Sequence, residues 1–84
     1  MAMKYSPTES ALLEILPSNG DRITVKELAE KYYKKKKKAM PFHGRIYIAN
    51  SVRSLAEKAK RNREKFKIKR TAKVGSHGIE VWIE

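Results

Sequence analysis

Apolar residues recur along this chain at two spacings, and the switch between them divides it. Up to about residue 62 they fall three and four positions apart, as one face of a helix requires; beyond it they alternate with polar residues, as a half-buried strand requires. Ala11, Leu12, Ile15 and Leu16 form the first helical stripe. Ser6-Pro7-Thr8-Glu9 stands ahead of it: Ser6 is a capping residue, Pro7 suits the first helical position, and Glu9 sits where a capping box wants a carboxylate. Pro17-Ser18-Asn19-Gly20-Asp21 ends the stripe with turn residues, so the pattern predicts a first helix over about 7–16.

Arg22-Ile23-Thr24 is long enough only for one bridging strand. Thr24-Val25-Lys26-Glu27 reads as a second capping box, and Val25, Leu28, Ala29 and Tyr32 follow at helical spacing. A second helix is predicted over about 25–36, with the lysines Lys34 to Lys38 either prolonging it or forming a loop. Met40-Pro41-Phe42-His43-Gly44 breaks it; Phe42 is expected to staple into the core, and Tyr32 and Tyr33 to serve as core and rim. The longest pattern follows, a third helix over about 45–62. Ile48, Val52, Leu55, Ala56 and Ala59 form its inner face, and Asn50, Ser54, Glu57 and Arg61 the opposite one. After a turn at Asn62-Arg63-Glu64, Phe66 and Ile68 alternate with Lys65, Lys67 and Lys69. Ile79, Val81 and Ile83 alternate with Glu80, Trp82 and Glu84. Two strands over about 65–84 are therefore expected to form a hairpin around Val74-Gly75-Ser76-His77-Gly78. Trp82 is expected to cover the outer side of that hairpin, to pack under a lysine stem or to mark a dimer contact, with packing preferred.

Charge changes the picture more than composition does. Residues 1–33 hold four basic and five acidic residues, whereas residues 34–84 hold sixteen basic and four acidic, giving the chain its net +11. A near-neutral front half is joined to a back half that attracts a polyanion, and nucleic acid is the commonest such partner. With 84 residues the chain reads as one domain, 1–84, without room for a deep substrate cleft. It has no cysteine, which excludes disulfides and thiolate metal sites. His43 and His77 are the only histidines and have no metal-ligand spacing, so no metal is expected. No activated serine, glycine-rich phosphate loop or paired carboxylate stands out, so neither catalysis nor a cofactor is expected. No apolar run approaches the roughly 20 residues of a membrane span, and no signal-peptide stretch precedes the first helix. A cytoplasmic protein, nucleoid-associated in a prokaryote, is the expectation.

The order helix, short strand, helix, long helix, hairpin resembles the winged helix-turn-helix family over nearly the whole chain. The capped helix at Thr24-Val25-Lys26-Glu27-Leu28-Ala29, the long helix through Asn50-Ser51-Val52-Arg53-Ser54-Leu55 and the hairpin carry the resemblance. It departs from the family at residues 34–44, where the connection is longer than the usual tight turn. The resemblance implies an α+β fold in which the third helix enters the major groove of duplex DNA and the hairpin wing touches backbone or minor groove. An α-helix fits the major groove, where each base pair shows a distinct donor and acceptor pattern. Asn50 matches adenine; Arg53 and Arg45 match guanine; Ser54 and Tyr47 reach bases or phosphates. Lys58, Lys60 and Arg61 are assigned to phosphates, as is the run Lys34, Lys35, Lys36, Lys37 and Lys38. Arg70, Lys73, Ser76 and His77 are the wing candidates.

From 45 to 61 five basic residues meet one acid, Glu57, whereas a helix built only for solubility interleaves both signs. The lysine run reads as a phosphate clamp, a localisation signal or a solvated loop; the clamp is preferred because the run adjoins a basic helix. The function expected is sequence-specific binding of double-stranded DNA by a small transcriptional regulator or mobile-element control protein, as a monomer or weak homodimer. The alternatives are an RNA- or ribosome-associated module and a protein-interaction domain. A membrane-surface role is not expected, because the apolar face of the third helix is needed for the core.

Overall fold

The computed structural model describes residues 3–71 and 79–84. The hairpin tip, with Lys73, Ser76 and His77, lies outside the described residues. Helix α1 spans Pro7–Ile15, strand β1 Ile23–Thr24, helix α2 Val25–Lys35, helix α3 Gly44–Arg61, strand β2 Ile68–Arg70 and strand β3 Glu80–Ile83.

The local signals act as their chemistry predicts. Ser6 Oγ accepts from the Glu9 amide (3.1 Å) while the Glu9 carboxylate accepts from the Ser6 amide (2.7 Å), a complete capping box. At α2 only the Thr24 half of the expected capping box is formed, with Thr24 Oγ1 accepting from the Glu27 amide at 3.1 Å. Beyond α1, Gly20 adopts φ +85°, a left-handed backbone that glycine takes without steric cost, and the Ile83 carbonyl would lie 3.3 Å from any Cβ there. The ends of α2 and α3 are alike. Lys37 and Arg63 take φ 56° and 54°. The Lys38 and Lys37 amides donate to the Tyr33 and Lys34 carbonyls (3.0 and 3.1 Å), and the Glu64 and Arg63 amides to the Ala59 and Lys60 carbonyls (3.1 and 3.2 Å). Both helices thus stop in a Schellman motif, with a basic residue where glycine is usual. The lysine run is therefore part helix and part cap: Lys34 and Lys35 close α2, Lys36 is its C-cap, and Lys37 turns the chain away.

The strands form one antiparallel sheet in the order β1-β3-β2, with Ile23 opposite Val81 and Ile68 opposite Ile83. A two-stranded hairpin is thereby corrected to three strands. β3 has polar backbone groups on both edges, and the two-residue β1 pairs with the edge that β2 leaves open. The buried Leu12, Leu28, Ile48, Val52, Leu55 and Val81 bring all three helices and the sheet into one core.

Phe42 departs from expectation: it does not staple into the core but is 95% exposed, edge-on to His43. Met40 and Tyr33 pack against the core instead. Gly44 is buried beneath that pair, so close that a Cβ would meet Met40 Cγ at 2.5 Å and Tyr33 Cε2 at 3.0 Å. The side chain that closes this corner is therefore methionine, and the turn carries Phe42 out into water. Trp82 packs as expected, but under an arginine: the Arg22 guanidinium lies 4.2 Å from the ring centroid and 3.7 Å from the Glu80 carboxylate.

Candidate nucleic-acid interface

Ile48, Val52, Leu55 and Ala59 turn one side of α3 into the core. At about 100° per residue, Ile46, Asn50, Arg53 and Glu57 must then form the ridge farthest from it, and all four are exposed. Two hollows flank this ridge.

The larger, about 700 Å³, lies between the second half of α3 and strand β2. Arg53, Lys60, Arg63, Lys67, Lys69 and Arg70 line it, over a floor of Ala56, Ala59, Phe66 and Ile68. Glu57 and Glu64 are the acids in its wall. Three segments supply the charge. Arg53 and Lys60 are seven residues apart and so share a face of α3. Arg63 is held by the left-handed cap. Lys69 and Arg70 come from β2, an edge strand of the sheet, and Lys67 from the position just before it.

The smaller hollow, about 300 Å³, opens between the start of α1 and the other flank of α3, where Tyr47, Asn50, Ser54 and Lys58 meet Ser6 and Glu9. Its chemistry is turned inward. Lys58 Nζ donates to Glu9 Oε1 at 2.7 Å and to the Lys4 carbonyl at 3.1 Å. Glu9 is buried, which opposes its charge, yet the Lys58 ammonium, the Ser6 amide and the Ser54 hydroxyl outweigh burial and hold its pKa at about 2. Lys58 is therefore committed to an internal ion pair, a correction to its assignment to phosphates. Tyr47 is also tied down: its hydroxyl lies 2.7 Å from Thr8 Oγ1, which stands 3.3 Å from the Tyr32 hydroxyl. One threonine links the three helices, and the Tyr47 phenol is directed at α1.

The candidates named from sequence are thus divided. Arg53, Lys60 and Arg70 come together in the groove. Asn50 and Ser54 border the smaller hollow and remain exposed. Arg45 is exposed in the first turn of α3. Arg61 pairs with Glu57 one turn back (3.1 Å), but both side chains are well exposed, and such pairs contribute little. The lysine run sits at the opposite end of α3 from the groove, beside the Met40–Gly44 turn, and Lys35 within it pairs with Glu14 on α1. The expected continuity between the run and the groove is therefore absent: the first half of α3 lies between them.

Sequence reasoning assigned no role to Arg63 and left Lys67 and Lys69 as the outer face of a strand. The strand alternation was visible, but only tertiary packing lays that strand beside Arg53 and Lys60. Among the described residues no helix is long and apolar enough to cross a membrane. Comparison with family models, curated proteins and solved structures returns no match.

Proposed function

We propose that this chain is a winged-helix domain that binds double-stranded DNA, as a small transcriptional regulator or mobile-element control protein. In this reading the α3 ridge enters the major groove, and the groove between α3 and β2 follows a phosphate strand. The gathering of Arg53, Lys60, Arg63, Lys67, Lys69 and Arg70 from three segments into one groove carries the proposal. Lysines on an edge strand have another use, since they keep a sheet edge from pairing with a second sheet. That accounts for Lys67 and Lys69 but not for Arg53, Lys60 and Arg63 on the facing wall. Gathering like charges costs stability through self-repulsion, and a polyanion in the groove relieves it. The element order and the sheet order β1-β3-β2 support the winged-helix reading.

In this reading Asn50 and Arg53 specify bases, while Lys60, Lys67, Lys69 and the lysine run position the backbone. The test is duplex binding across a salt series. If about six phosphates are neutralised, affinity falls roughly 10³-fold between 50 and 200 mM salt. Removing Lys67 or Lys69 is expected to weaken binding to all sequences alike and to reduce the salt slope by about one each. Arg53→Ala is expected to relax sequence preference. A salt-independent affinity, or groove variants that bind like wild type, overturns the reading; tighter binding to structured RNA than to duplex DNA replaces it with the RNA alternative.

A further inference from the structure

Two large apolar side chains at the start of α3 are left in water. Phe42 is 95% exposed and Ile46 59%. The core beneath them is already closed by Met40, Tyr33 and Ile48. Ile46 stands on the outer ridge one turn before Asn50 and two turns before Arg53, so an apolar group and two base-pairing side chains follow each other in line.

A lone exposed isoleucine is ordinary on a protein surface. The setting of this one is not. Arg45 adjoins it, the lysine run lies across the Met40–Gly44 turn, and Arg53 stands farther along the ridge. Two copies meeting through this patch would bring +11 against +11. Like charge therefore opposes self-association and favours a polyanion that carries apolar groups of its own. The major groove of DNA presents such a group, the 5-methyl of thymine, on the same A·T pair whose adenine offers N6 and N7 to an asparagine.

We propose that Ile46 reads thymine methyl groups in the major groove, next to the adenine taken by Asn50, so that this chain prefers A·T pairs under the first two turns of α3. The inference rests on the duplex reading above and specifies the partner of that ridge.

The test begins with selection from random duplexes at low salt. Each thymine of the selected site is then replaced singly by deoxyuridine, which keeps the hydrogen-bonding edge and removes only the methyl. At the contacted position the replacement is expected to weaken wild-type binding about four-fold, the effect of one lost buried methyl. In Ile46→Ala the same replacement is expected to cost nothing, since the contact is already gone. Ile46 is exposed, so the variant is expected to fold normally, and its thermal midpoint checks this. A defined motif in which every deoxyuridine is tolerated, or a penalty that persists in Ile46→Ala, overturns the inference and leaves the duplex reading standing. Failure to retain any duplex removes both. A wild-type homodimer that Ile46→Ala dissociates in sedimentation also overturns it, by assigning the patch to a second copy.

Discussion

Glu9 shows how one residue serves two levels of structure. As the fourth residue of Ser6-Pro7-Thr8-Glu9 it closes a capping box, a signal local enough to be read from the chain. As the partner of Lys58 it joins the start of α1 to the second half of α3, across 49 positions of sequence. Its carboxyl is held at about 2 against an ordinary 4.5, so protonation favours the unfolded chain. The corresponding stability, about 3 kcal/mol, is fully present above pH 4.5 and is lost as pH falls toward 2. Lys58→Met leaves a buried carboxylate without its cation and is expected to cost about 3 kcal/mol at neutral pH. Denaturant unfolding across pH checks both statements. The acid-side loss should shrink in the variant, and an unchanged pH slope in that window contradicts the assignment.

At the scale of the element, the ends of the helices carry as much information as their faces. Residues other than glycine pay a steric penalty in the left-handed region. Lys37 and Arg63 both accept that conformation at a Schellman position. Arg63 also lines the cationic groove, so strain and charge meet at one residue. Arg63→Gly is therefore expected to stabilise the fold by about 1 kcal/mol, by relieving the left-handed backbone. It is expected at the same time to weaken duplex binding and reduce its salt slope by about one. Thermal unfolding and a salt series on the same sample separate the two effects. A variant that is less stable, or that binds as well as wild type, denies the trade.

The whole molecule is small for the charge it carries. Its Cα radius of gyration is 12.3 Å, and net +11 on so small a body repels itself. The thermal midpoint is expected to rise by a few degrees between about 10 and 150 mM sodium chloride, as screening shortens to roughly 8 Å. A midpoint that falls or stays level shows that the cations are already balanced within the fold. Lys58 and Lys35 are balanced in that way, through Glu9 and Glu14; in the groove, six cations face Glu57 and Glu64.

Helix positions, the caps at the starts of α1 and α2, and inner faces apart from the half-buried Ala56 were legible along the chain because each depends on neighbours within four residues. Val25, Leu28, Ala29 and Tyr32, and likewise Ile48, Val52, Leu55 and Ala59, are buried as their spacing predicts. Long-range partners carried no such signal. That Lys58 turns inward, that Tyr47 bonds Thr8, that β1 completes the sheet, and that Met40 rather than Phe42 seals the corner all depend on which surfaces meet. The linear order of residues determined that the second half of this protein is cationic. Only tertiary packing decided which cations share a groove, because charges far apart on the chain become neighbours when the core brings helix and strand together.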